Sequence, residues 1–375
     1  MIYLDNAATT FPKPREVYEN VDRVQRNLAV NVGRGSYKLA REAENIVSET
    51  KIVLGKLLKA ESPNNIYLTP SATIAANEII GGLPWDNLKN VYVSPFEHNA
   101  IMRPLDLVRQ KYGVKIYELP FDPMTQELKF DEMLRNFGSR HPDYVFVNHV
   151  SNVTGNILPI KEIGETVRKY GGKLIVDGSQ SVGLLDIDLS LMPIDYLIFA
   201  GHKNLYSSWG VGGFVRNSEM DLNPFLAGGT GSESLDMTVT SFEPGSCNII
   251  AISSLCESVK WLEQTSIKKV EERKKELTEK LITGLKSVGA KLYLPGDMSN
   301  HTSVVSFNLF GYEPSEVGMI LDQDFDIAVR TGYHCAPLIH KLIGTEATKG
   351  TVRASVGYFN TTDDIEKLIR AIEEL

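Results

Sequence analysis

Residues 144–177 read YVFVNHVSNVTGNILPIKEIGETVRKYGGKLIVD. The stretch opens on an apolar run, YVFVN (144–148), and closes on another, KLIVD (173–177). A helical pattern over 160–171 separates them. Strand, helix and strand make a βαβ unit, and the alternation recurs along the chain. Further strand patterns are IYL (66–68), VYVS (91–94), KIYEL (115–119), DYLIFA (195–200) and GGFVR (212–216). Helical patterns cover 72–82, 99–112 and 130–137, and another follows Ser36 and runs to about Lys59. This order predicts an α/β fold with a mostly parallel sheet covered by helices on both faces. A long charged helical segment follows at about 254–288. After it the pattern becomes strand (303–308), helix (314–322), strand (326–330), strand (351–356) and helix (362–374). That order predicts a smaller α+β domain. The expected division is a large domain of residues 15–255 and a small one of residues 1–14 with 256–375.

The chain has 375 residues, 42% hydrophobic and 23% charged. That is an ordinary globular mix, long enough to bury a large core without staples. Its three cysteines cannot form a disulfide framework, and Cys247, Cys256 and Cys335 lack metal-ligand spacing. A reducing, cytoplasmic setting is expected. The start, MIYLDNAATT, has no basic segment followed by an apolar stretch, so no signal peptide is expected. No apolar run is long enough to cross a bilayer. A net charge of −8 argues against a general nucleic-acid binder.

In parallel α/β sheets, ligands bind outside the carboxyl ends of the strands. The polar residues at those ends are Ser71 and Thr73, Glu97 and His98, His149 and Asn152, Asp177 and Gln180, and His202 and Lys203. Five successive strand ends so equipped are more than a structural sheet needs. Lys203 is either a surface lysine at a turn or a desolvated amine able to form a Schiff base. Asp177 either pairs with a cationic ring nitrogen or caps the next helix. SATIAAN (71–77) starts a helix, either as an ordinary N-cap or as a phosphate seat. His98 is a core histidine or a plate stacked on a flat ring. Arg353 either holds a carboxylate with its bidentate fork or makes a structural salt bridge. Together these groups describe a flat, phosphorylated, aldehyde-bearing pyridine, which is pyridoxal 5′-phosphate, an electron sink.

Eight motifs extend that description: YLDNAATTFPKP (3–14), FEHNAI (96–101), NHVSNVTGNILPI (148–160), VDGSQSVG (176–183), GHK (201–203), FEPGSCN (242–248), RTGYHCA (330–336) and RASVGYFN (353–360). In that order they resemble the cysteine desulfurases, in the class V aminotransferase branch of fold-type I pyridoxal-phosphate enzymes. The resemblance covers nearly the whole chain. It implies that Lys203 carries the cofactor, His98 stacks on its ring, Asp177 pairs with the ring nitrogen, and Gln180 bonds the ring oxygen. Asn152 would lie beside the ring, and Thr73 and His202 would hold the phosphate. Ser246 would reach the phosphate of a neighbouring subunit, which implies a homodimer. Arg353, with Arg330 and Asn152, would bind the substrate, L-cysteine. Cys335 would accept the sulfur and pass it to an acceptor protein of unknown identity. The compact RTGYHCA form resembles the branch with a short catalytic loop.

Some positions depart from the family pattern. Ala200 stands where relatives carry a hydroxyl, Ile74 where they have Glu, and Gly33 and Tyr333 where His is common. The segment from Gly228 to Ser246 is short. Other readings on the same scaffold are selenocysteine cleavage, transamination or β-elimination, or a non-catalytic sulfur relay or scaffold. Cys335 favours persulfide chemistry, and retention of Lys203 with Cys335 argues against a scaffold.

Overall fold

The computed structural model describes residues 1–32, 35–220, 222–229 and 241–375. The seven expected strands of the first half assemble into one sheet. Its spatial order is Ile66–Thr69, Gly212–Arg216, Tyr196–Ala200, Lys173–Asp177, Tyr144–Asn148, Asn90–Val93 and Lys115–Glu118. Six strands are parallel to one another. Gly212–Arg216 alone runs antiparallel to both of its neighbours.

The central strands are apolar throughout because both of their faces are covered. Side chains alternate across a strand, so one strand feeds two cores. Val145, Val147, Leu174, Val176, Leu197 and Phe199 enter the larger core. Tyr144, Phe146, Ile175, Tyr196 and Ile198 enter the core on the opposite face. The helices Ala72–Gly82, Asn99–Tyr112, Phe130–Ser139 and Ile160–Lys169 lie where their patterns put them.

A second sheet has the order Arg330–Gly332, Thr351–Ser355, Val304–Asn308 and Lys291–Tyr293, all antiparallel. Its core joins Leu4 to Leu277, Leu281, Val305, Phe307, Val352 and Leu368. Three details differ from expectation. The long helical segment is two helices, Ile249–Thr265 and Ile267–Ser287, broken at Ser266 with φ +74°. The expected strand 326–330 is split between two sheets: Ile327–Ala328 pairs in parallel with Ile2–Tyr3, and Arg330–Gly332 pairs with Thr351–Ser355. Helices Arg15–Asn27 and Pro337–Leu342 and strand Lys291–Tyr293 were not anticipated. Among the described residues, no helix is long and apolar enough to cross a membrane.

Candidate active site

A cavity of about 260 Å³ opens at the carboxyl ends of the parallel strands. It gathers Thr73, His98, Asn152, Asp177, Gln180, His202 and Lys203 from the large sheet, with Arg330 and Arg353 from the small one. Nine of the eleven residues to which the resemblance gives a role therefore share one wall. The other two do not line it. Cys335 stands beside it, and Ser246 is exposed, with its Oγ 3.4 Å from Asn31 Nδ2. The departures at Gly33 and over 230–240 fall outside the described residues.

Lys203 sits in the turn that follows Tyr196–Ala200. Its ammonium has no hydrogen-bond or ion-pair partner among the described residues. Burial pushes its pKa down, Asp177 opposes that shift, and Arg353 and Arg330 add to it. The amine is thereby biased toward its neutral, nucleophilic form.

Asp177 ends the strand Lys173–Asp177. Its Oδ1 accepts the Ser179 N–H at 2.9 Å, so it does cap the following turn. It also lines the cavity, so the two readings of this residue coexist. Gln180 donates from Nε2 to Ala7 O at 2.7 Å. His98 caps the helix Asn99–Tyr112, its Nδ1 accepting the Ala100 N–H at 3.0 Å. That bond leaves the ring proton on Nε2. Burial, then the Lys203 charge, pushes the His98 pKa down to about 4, so the ring is neutral.

At the other end of the cavity, Ser71 Oγ accepts the N–H of Ile74 at 3.3 Å. The first-turn N–H groups of Ala72 and Thr73 have no carbonyl four residues back and remain available to an anion. His202 stacks on Trp209, with centroids 4.0 Å apart and planes at 17°. Burial pushes the His202 pKa down to about 3. Ala200 lines the same region, with its methyl group where a hydroxyl would add a donor.

Glu97 is buried beneath the site. Ser94 Oγ and the Asn148 N–H both donate to its Oε1 at 2.6 Å, and its Oε2 has no partner. Burial pushes its carboxyl up to about 8 against those two bonds, and the Asp177 charge pushes the same way. Glu97 is therefore neutral at pH 7. Asp177 is the one carboxylate lining the cavity among the described residues.

Cys335 follows a tight reversal. Gly332 has φ +95°, and His334 and Cys335 have φ +49° and +59°. Two successive non-glycine residues in the left-handed region are strained, and such strain collects where a side chain must be aimed. The Asn99 N–H donates to Cys335 O at 2.7 Å, tying the loop to the helix capped by His98. Arg330 Nη2 donates to Cys335 Sγ at 3.1 Å, placed to pair with a thiolate, the reactive form of a cysteine. His334, the sequence neighbour, does not do this. Its Nε2 meets Thr351 Oγ1 at 2.9 Å, and burial holds its pKa well below the usual histidine range. Of the other cysteines, Cys256 is buried in the core and Cys247 is exposed.

Arg353 is 1% exposed. Its Nη2 pairs with Asp5 and its Nη1 donates to Asn152 O at 2.9 Å. Sequence reasoning missed Asp5, Trp209 and Lys13. Lys13 Nζ donates to His202 O at 2.6 Å and to Thr10 Oγ1 at 2.8 Å, and burial pushes its pKa down to about 7. The only sequence signal for Asp5 and Lys13 was their place in YLDNAATTFPKP.

The residues present fit pyridoxal phosphate. Four polar atoms of cavity-lining residues, His202 Nδ1, Asn152 Oδ1, His334 Nδ1 and Arg353 Nε, are buried without a partner. Buried polar atoms without partners are rare in folded proteins, and a polar ligand is one way to satisfy them. A free helix start, a desolvated lysine and a strand-end carboxylate complete the donor and acceptor set for a phosphate, an aldehyde and a cationic ring.

Comparison with known proteins agrees with this geometry. The family model for aminotransferase class-V matches residues 2–368. A probable cysteine desulfurase of Methanothermobacter thermautotrophicus is 30% identical over 392 residues, covering 100% of this chain and 94% of the relative. The apo structure of a cysteine desulfurase from Thermococcus onnurineus superposes with a TM-score of 0.92 at 28% identity, covering 100% of this chain and 94% of that one. A cysteine desulfurase crystal structure from Escherichia coli gives 0.88 at 26% identity, with 100% and 94% covered. With a family model spanning almost its full length and relatives matched end to end, the chain belongs to the cysteine desulfurases of the class-V aminotransferase family.

Proposed function

We propose that this enzyme takes the sulfur of L-cysteine onto Cys335 and releases L-alanine. One observation carries the reading: Cys335, held by Arg330, stands beside the cavity that contains the desolvated Lys203 and Asp177. Transamination has no use for a thiol there. When bound, pyridoxal phosphate supplies an electron sink for negative charge at the substrate α-carbon.

The chain's own residues do the rest. Lys203 holds the cofactor and moves the proton of the α-carbon. Asp177 keeps a positive charge on the ring nitrogen, and Gln180 and Asn152 flank the ring. His98 covers its face as a neutral plate. Thr73, His202 and the first-turn N–H groups hold the phosphate. Arg353 and Arg330 receive the substrate carboxylate. Cys335 attacks the substrate sulfur, so an S–S bond forms as the C–S bond breaks. The electron pair of the broken bond stays with the three-carbon fragment. That fragment takes up a proton, equal in the balance to the one lost from the substrate thiol, and leaves as alanine. Cys335 is left as a persulfide.

The proposal extends to a homodimer, because Ser246 is exposed outside its own chain's cavity and is free to serve a partner's phosphate. It includes delivery of the persulfide sulfur to an acceptor protein, in the cytoplasm. It also includes the division into residues 15–255 and residues 1–14 with 256–375. The core that joins Leu4 to residues 277–372 supports that division. Incubation with L-cysteine and a thiol reductant, with alanine and sulfide assayed together, tests the reaction. The two products should appear in equal amounts. Sulfide without alanine, or pyruvate in place of alanine, would reject it.

A further inference from the structure

The helix Ile267–Ser287 turns one face to the core through Val270, Lys274, Leu277, Leu281 and Leu285. An apolar residue is expected in the second place of that row. Lys274 stands there instead, 3% exposed, with no carboxylate partner among the described residues. A lysine in such a place is costly unless its head makes a specific bond. Its Nζ donates to Asn204 Oδ1 at 2.8 Å. Asn204 follows Lys203 directly, and its Nδ2 donates to Gln180 O at 2.6 Å. Gln180 in turn donates to Ala7 O. The backbone of Asn204 is pinned as well: a side chain on Gly183, which has φ +87°, would come within 2.3 Å of Asn204 O.

An amide can turn over and exchange its oxygen for its nitrogen. Two groups fix the orientation of Asn204: the Gln180 carbonyl, which only accepts and so takes the nitrogen, and the group that faces its Oδ1. An ammonium offers donors and no acceptor, so it admits only the oxygen. The nitrogen is then forced toward Gln180. Burial pushes Lys274 down to about 7, and the bond to Asn204 Oδ1 works against that by favouring the ammonium.

We propose that Lys274 is a positioning residue for the cofactor site: through Asn204 it sets the Gln180 backbone and the turn that carries Lys203. The inference rests on the pyridoxal-phosphate reading. Lys274→Met keeps the unbranched stem of the side chain but removes the donor, and Lys274→Gln keeps a donor. In holoenzyme, Lys274→Met should lose cofactor on dilution roughly fivefold to tenfold faster than wild type, as expected for one lost hydrogen bond. It should also shift the pH midpoint of the bound cofactor's visible band. Lys274→Gln should restore both readouts to within about twofold of wild type. Asn204→Asp keeps the pairing with Lys274 but removes the donor to Gln180, so it should match Lys274→Met even if that variant folds poorly. Wild-type retention and band in Lys274→Met or Asn204→Asp would overturn the inference. So would equal losses in Lys274→Met and Lys274→Gln, which would mean that the site needs only packing. Borohydride reduction of wild-type holoenzyme followed by peptide mapping separates the two levels. A pyridoxyl group absent from Lys203 defeats the functional reading itself, and the inference with it.

Discussion

Replacing Glu97 by Gln should stabilise the protein, and only above mildly acidic pH. In the unfolded chain this carboxyl titrates near 4.5, and in the fold it keeps its proton to about 8. Between those values the unfolded state binds fewer protons than the native state, so stability falls as pH rises through the window. The contribution is fully present below 4.5 and lost by about 8. At 1.36 kcal/mol per unit, the loss is roughly 3 kcal/mol by pH 7 and at most roughly 5 kcal/mol at pH 8. A Gln side chain has the shape of the protonated acid. Its oxygen can accept the same two donors, Ser94 Oγ and Asn148 N–H. Its NH₂ would stand where Oε2 has no partner, which offsets roughly 1–3 kcal/mol of the gain. The same offset applies at every pH, so Glu97→Gln is expected to gain about 2 kcal/mol at pH 8 and to lose about 1 kcal/mol at pH 5. Urea unfolding of both proteins at the two pH values, followed by tryptophan fluorescence, measures this. Equal midpoints at pH 8, or a loss there, would refute the reasoning and mean that Glu97 is ionised in the fold.

Cys335→Ser should keep the cofactor and bind cysteine yet form almost no persulfide in a single turnover; mass spectrometry that finds the extra sulfur on Cys247 or Cys256 would reassign the nucleophile. Ala200→Ser should tighten cofactor binding several-fold. That is less than the roughly 1.5–3 kcal/mol of a full hydrogen bond to a charged group, because on the proposed reading the N–H groups of Ala72 and Thr73 would serve the same anion. A cofactor titration of stripped protein checks it, and unchanged affinity would mean that the new hydroxyl does not reach the phosphate. Mixing Ser246→Ala chains with Lys203→Ala chains should recover activity if sites are shared between subunits, since one hybrid site then carries both lesions and the other neither. A fully active monomer in sedimentation would rule the shared site out.

How much of this was legible in the sequence follows from where the information lies. KLIVD was readable to the residue because a strand covered on both faces is apolar throughout, and Asp177 then breaks the run. The same holds for YVFVN and for GGFVR. The antiparallel direction of Gly212–Arg216 was not readable, because periodicity carries no direction. Ser266 interrupts a charged pattern that continues on both sides of it, so the break was hidden. In the site, residues at strand ends were found because the topology of parallel sheets points to them. Asp5 escaped because it meets Arg353 across 348 positions of chain, and no local pattern records such a meeting. Lys274 escaped for the opposite reason: its helix is rich in lysine, and nothing local separates the buried one from the exposed ones.

The register of the small sheet has a consequence of its own. Arg330 and Arg353 are directly opposed on adjacent antiparallel strands, so both guanidinium groups leave the sheet on one face. Like charges so placed repel. Each is met by a partner of the protein's own, the Asp5 carboxylate for Arg353 and the Cys335 sulfur for Arg330. On the proposed reading, an arriving substrate carboxylate would offer the same two forks a rival partner. As it settled, the grip of Arg330 on the sulfur would slacken, and the tether would be traded for reach. The cysteine would thus be moored while the cavity waits, and the cargo that docks beside it would cast it off.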